Sequence, residues 1–265
     1  MKKTIAAVLM GAMMLSLAAC GKSGSADSGK TGGDLDYIKE KKTLVVGITD
    51  FAPMDYREGT EWVGFDADMA REIASSLGVA VDFVEIDWDN KILELNNKSI
   101  DCVWNGMTLT DEVKNSMNCT NAYCNNAQVV VLPAETADQY KDIESLKSLR
   151  FAVEAGSAGE AAAEENGFTF TAVNAQSDTL MEVQAGTSDA AIIDLLMAGA
   201  MIGEGTSYPE LVYTTELTSE EYGVGCRKDS DLTAYINEQF VALSKNGRME
   251  EIARKYGVQA SLISR

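Results

Sequence analysis

The sequence predicts an α/β fold in two successive blocks, each a mainly parallel sheet with helices on its faces. Two observations carry this. Short β-branched runs alternate with segments whose apolar residues recur at helical spacing. The rhythm stops at Pro133 and starts again at Arg150. Alternation of strand and helix favours parallel neighbours, because a crossover must carry the chain back across the sheet.

In the first block, residues 43–48 (TLVVGI) form a buried strand. Residues 65–77 form a helix with Phe65, Met69, Ile73 and Leu77 on one face, closed by Gly78. A strand over 79–86, a short helix over 90–97 and a strand over 100–104 complete it. A long apolar strand over 127–132 ends at Pro133. The second block then reads strand 150–154, helix 157–166, strand 168–173, helix 179–185, strand 190–193 and helix 195–202. Residues 222–227 are strand-like, and helices over 232–243 and 249–256 close the chain.

Composition narrows the function. The 265 residues are 46% hydrophobic and 24% charged, enough for one or two domains with cores. A net charge of −19 disfavours nucleic acid and anionic lipid headgroups. Histidine is absent, which excludes Ser-His-Asp and Cys-His catalytic sets and zinc sites built on His. Cysteines stand at 20, 102, 119, 124 and 226 with no C-x-x-C pair, so a zinc knuckle or redox motif is not expected. Cys119 and Cys124 leave two readings open, a disulfide in an oxidising compartment or separate buried thiols.

Met1-Lys2-Lys3, an apolar stretch over 5–17 and Leu17-Ala18-Ala19-Cys20 make a secretory signal. The apolar stretch is too short for an ordinary transmembrane anchor. Leu-Ala-Ala-Cys resembles the lipobox of bacterial lipoproteins. That resemblance implies a signal peptide over 1–19, cleavage before Cys20, and a membrane anchor through lipid on Cys20. Residues 20–33 then form a Gly/Ser-rich flexible linker, with a reach of roughly 20 Å.

Further segments run in order along the body: Val45-Val46-Gly47 with Pro53, Gly64-Phe65-Asp66-Ala67-Asp68-Met69-Ala70, Asp87-Trp88, and Asn105-Gly106-Met107-Thr108-Leu109-Thr110. Then come Glu154-Ala155-Gly156-Ser157, Asp189-Ala190 with Asp194, Tyr222-Gly223-Val224 and Gly247-Arg248-Met249. In this order and spacing they resemble the polar amino acid branch of periplasmic-type solute-binding proteins of ABC importers. The resemblance implies a type II periplasmic-binding-protein fold: two α/β lobes, two crossover strands, and ligand held in the cleft. Crossovers are expected near 129–133 and 214–222. Lobe 1 is then 34–130 plus 221–265, and lobe 2 is 131–220. The expected partners are an amino acid or amine and an ABC permease. A monomer with no cofactor and no metal is expected.

The same resemblance nominates site residues. Phe51 and Trp88 match aromatics that stack on ligand. Trp104 should instead face the core, by alternation from Asn105. Asn105, Gly106 and Thr108 match a loop that offers backbone and hydroxyl groups to a ligand carboxylate, and glycine permits close backbone approach. Ser157 opens a helix, where a hydroxyl and unbonded N–H groups can hold an anion or simply cap the helix. Asp194 matches the carboxylate that takes a ligand ammonium, and helix capping is its alternative role. Asp50 and Glu154 add two acids at strand ends. One departure stands out. The family's carboxylate-binding Arg position is Val113 here. The expected cleft therefore holds Asp50, Glu154 and Asp194 with no evident cation, which favours a ligand bearing a cationic group and net charge of zero or above.

Two other classes compete with a transport receptor. Some dehydratases resemble these receptors, but the chain lacks His and shows no evident acid–base pair. A sensory domain usually continues into a transmembrane segment, whereas this sequence ends at Arg265 after a soluble helix, which favours a free-standing receptor. The expectation is a binding protein and not an enzyme.

Overall fold

A computed structural model of the chain describes residues 33–264. The signal peptide, Cys20 and all of the expected linker but Gly33 lie outside the described residues.

The parallel strands follow the β-branched runs. In the first sheet, Ala80–Glu85, Thr43–Ile48 and Cys102–Val103 lie side by side and parallel. Gly225–Cys226 then runs antiparallel between Cys102–Val103 and Asn118–Cys119. The second sheet repeats the plan. Thr169–Val173, Arg150–Glu154 and Ala190–Asp194 are parallel, and Gln128–Pro133 runs against them beside Leu211–Glu216. Four of the five strands in each sheet thus run the same way, as expected of a mainly parallel sheet, and one runs against them. A strand entering directly from the other sheet has no helix to carry it back, so it runs against its neighbours.

The chain passes between sheets through Cys124–Asn126 and Glu220–Tyr222, which pair with each other antiparallel. Residues 128–133 already belong to the second sheet. The strand expected over 222–227 is two pieces, Glu220–Tyr222 and Gly225–Cys226, because the chain changes sheet between them.

Helix Phe65–Leu77 buries Phe65, Met69 and Ile73 and ends at Gly78 in the left-handed conformation. Ala158–Asn166 is capped by Ser157 and closed by Gly167. Trp104 is buried in the core, 5.5 Å from the Phe240 ring and 6.5 Å from that of Tyr123. Cys119 lies in the first sheet and Cys124 in the crossover ribbon, and neither is disulfide-bonded.

Helix Asp34–Lys41 is held to the body by charge. Arg227 Nε pairs with Asp34 Oδ2 at 3.0 Å and its Nη2 with Asp101 Oδ1 at 3.2 Å. Lys41 Nζ meets the other oxygen of the buried Asp101 at 2.6 Å. Arg227 Nη1 also donates to Ile100 O at 2.6 Å.

Candidate ligand-binding site

The carboxyl ends of the parallel strands of both sheets face a cavity of about 440 Å³, the usual place for a ligand on α/β sheets. Every nominated residue except Asp50 lines it.

Phe51 follows strand Thr43–Ile48 in a tight turn, its N–H donating to Asp55 O at 2.6 Å. Its ring meets Tyr222 edge to face at 6.2 Å. Gly106 passes beneath that ring with φ of 53°, and a Cβ there would lie 2.4 Å from Phe51 Cε1. Only glycine meets both conditions without strain. The Gly106 N–H donates to Asp66 Oδ2 at 2.6 Å, and Tyr123 OH donates to the same oxygen at 2.7 Å. Burial pushes the Asp66 carboxyl up to about 7.

The Asn105 side chain is engaged within its own lobe of the site. Its Oδ1 accepts from the N–H and hydroxyl of Thr49 at 3.0 and 2.7 Å. Its Nδ2 donates to Thr49 O at 3.0 Å and Asp55 Oδ2 at 2.8 Å. The amide therefore fixes the loop beside the cavity. Thr108 Oγ1 donates to Glu220 Oε1 at 3.0 Å. Asp50 points elsewhere. Thr49 is turned onto Asn105, which sends the next side chain the other way, and Asp50 lines a neighbouring recess with Glu85, Glu94 and Asp178. Burial, then repulsion from Glu85 and Asp178, raises its pKa.

On the second sheet, Glu154 is 4% exposed and its Oε1 has no hydrogen-bond partner. Burial, reinforced by Asp194, pushes its carboxyl up to about 8. Asp194 is also buried. Its carboxylate accepts from Asn126 Nδ2 and Tyr222 OH on one oxygen and from Gln176 Nε2, at 2.6 Å, on the other. Burial first, then Glu220, moves its pKa up to about 8. Asp194 does not cap helix Leu195–Met201 with its side chain. Asn126 Oδ1 accepts the Leu196 N–H instead, at 3.2 Å. Ser157 does cap its helix, accepting the Glu160 N–H at 3.1 Å.

The expectation of a cleft without a cation is corrected by Lys91. It lines the cavity, is 5% exposed, and its Nζ stands 5.0 Å from the centre of the Trp88 ring. That Nζ donates to Trp88 O at 3.2 Å and to Gly156 O, across the cleft, at 2.8 Å. A signal was present in the sequence. Lys91 follows Trp88 by three residues, the spacing that places two side chains on one helical face. Val113 is buried in the wall, and neither Arg57 nor Arg71 replaces the missing guanidinium. Arg57 stacks on Trp62 at 4.0 Å, and Arg71 donates to Trp62 O and Asp68. Gln176, which positions Asp194, and the crossover residues Asn126, Tyr222 and Glu220 were not nominated either. Their roles depend on the two crossover strands lying side by side.

Residues 44–259 match the profile of bacterial extracellular solute-binding proteins, family 3. The chain belongs to that family. This solute-binding protein is 29% identical over 263 residues to the arginine-binding extracellular protein ArtP of Bacillus subtilis, covering 97% of this chain and 98% of ArtP. Its fold is that of type II periplasmic amino acid-binding proteins. It superposes on a mutant of ArgBP from T. maritima with a TM-score of 0.79 and 32% identity, covering 84% of this chain and 98% of that one. It also matches the ancestral amino acid-binding protein AncCDT-1, a precursor of cyclohexadienyl dehydratase. There the TM-score is 0.77 and the identity 28%, over 84% of this chain and 99% of the other.

Proposed function

We propose that the protein captures an amino acid with a cationic side chain outside the cell and delivers it to an ABC importer. The observation that carries this is Glu154. It is a buried carboxylate with an unsatisfied oxygen, in a cavity that also holds Asp194 and is walled by Phe51 and Trp88. Two buried acids need positive charge to remain ionised together; Lys91 supplies part of it, and a ligand cation supplies the rest. In this reading Asp194 takes the ligand ammonium, Glu154 takes the side-chain cation, and the aromatic faces hold the aliphatic part. The cavity volume of about 440 Å³ falls among those that bind small molecules. The resemblance to ArtP and to ArgBP supports the same chemistry.

Calorimetry with arginine, lysine, glutamine, glutamate and simple amines tests it. Arginine or lysine should bind and glutamate should not. Tight binding of glutamate, with none of the cationic compounds bound, overturns the reading. No turnover of any of these compounds is expected, and their consumption would favour an enzyme on this fold.

A further inference from the structure

We propose that Lys91 receives the ligand's α-carboxylate, in place of the guanidinium that Val113 cannot provide; this rests on the amino acid reading above. An ammonium has three N–H donors. Two are spent on Trp88 O and Gly156 O, which leaves one without an acceptor among the described residues. The residue is buried and lines the ligand cavity, so that donor is available to a group that enters it. The contact with Gly156 O brings the ammonium to the loop that opens helix Ala158–Asn166. The first N–H groups of a helix have no intrahelical acceptor, and Ala158 lines the same cavity.

The two sides of the cleft also approach closely here. Gly156 has φ of 69°, and a Cβ on it would lie 2.7 Å from Asp89 Cα. The close approach seats the helix opening against the turn that carries Lys91. A carboxylate at this corner gains a charged donor and backbone N–H groups together. Burial disfavours the ammonium, and Glu112, Glu154, Asp89 and Glu160 favour it. The ligand is therefore read at two poles, anionic at Lys91 and cationic at Glu154 and Asp194. Lys91 donates at most one bond to the carboxylate, so it selects for the charge and not for a planar bidentate fit.

The alternative role for Lys91 is a latch that only joins the two sides through Gly156 O. Arginine and arginine amide, which lacks the carboxylate charge, separate the two. Their affinities are measured by calorimetry on wild type, Lys91→Met and Lys91→Arg. Wild type should prefer arginine. Lys91→Met should weaken arginine by about ten- to a hundredfold and leave arginine amide nearly unchanged, and Lys91→Arg should restore most of the arginine affinity. Should Lys91→Met fail to fold, Lys91→Gln gives the same comparison. Equal weakening of both compounds means a latch and overturns the assignment. So does unchanged arginine binding. If wild type binds neither compound, the amino acid reading itself fails and takes this inference with it. If wild type binds both equally, only the carboxylate assignment falls.

Discussion

Glu154 and Asp194 each carry a carboxyl pushed up to about 8 by burial, against ordinary values of 4.5 and 3.8. Between those limits the folded protein binds more protons than the unfolded chain. Stability without ligand therefore falls as pH rises from about 4 to about 8. Thermal melts across that window should show the slope, and Asp194→Asn should flatten it. Ligand binding couples with the opposite sign. A cation favours the ionised carboxylates, so below about 8 binding should release protons and affinity should rise with pH. Calorimetry in two buffers of different ionisation enthalpy reads the release directly, and proton uptake would contradict the assignment. Gly106 offers a steric test. Gly106→Ala places a methyl into the Phe51 ring and forces a left-handed alanine, together a cost of about 1–3 kcal/mol. A lower denaturation midpoint and weaker ligand binding should appear together.

Helix Asp34–Lys41 is tied in part by one residue far along the chain, Arg227. Arg227→Met leaves Asp101 buried with only Lys41 as ionic partner and removes the anchor of Asp34. Breaking a buried ion pair from one side costs about 3–5 kcal/mol. Chemical denaturation should show that loss, while affinity for ligand changes little, because none of these residues lines the cavity. This helix also marks a limit of sequence reading. Helices Phe65–Leu77 and Ala158–Asn166 were legible because one-sided apolar spacing or a capping serine was followed by a left-handed glycine. Asp34–Lys41 has only Ile38 fully buried, and it is held by charged contacts with remote chain, Arg227 to Asp34 and Lys41 to Asp101. Strands Asn118–Cys119 and Gly225–Cys226 are two residues each and owe their existence to pairing with remote chain. The cavity was legible where a residue lies at or just past the carboxyl end of a strand, as with Phe51, Asn105 and Asp194. Lys91 was missed because nothing local shows that its ammonium reaches Gly156. Asp50 was misplaced because the bond from Thr49 to Asn105, which turns it away, spans distant segments.

At the scale of the molecule, the two sheets meet through the paired crossovers and through side chains that reach across the cleft, such as Lys91 to Gly156. Ligand contacts contributed by both sides should favour closure about the Cys124–Asn126 and Glu220–Tyr222 ribbon, a hinge motion. Small-angle scattering should give a smaller radius of gyration at saturating arginine, and an unchanged value would count against such a cycle. Anchoring is tested on the full chain in cells. Cys20→Ala should release the protein from membranes or leave its signal uncleaved. A Cys20→Ala protein that is still processed and membrane-bound would rule out the lipid.

Asp111, Glu112 and Glu165 stand exposed among the residues that line the cavity, on a chain of net charge −19. Their field reaches a cationic solute before any contact forms, and it is screened over about 10 Å at 0.1 M salt. The arrival rate of arginine in stopped-flow should therefore fall as salt rises, while its departure rate, set by the buried pair Glu154 and Asp194, stays nearly constant. Capture is then fastest in dilute surroundings, where a scarce solute is hardest to collect.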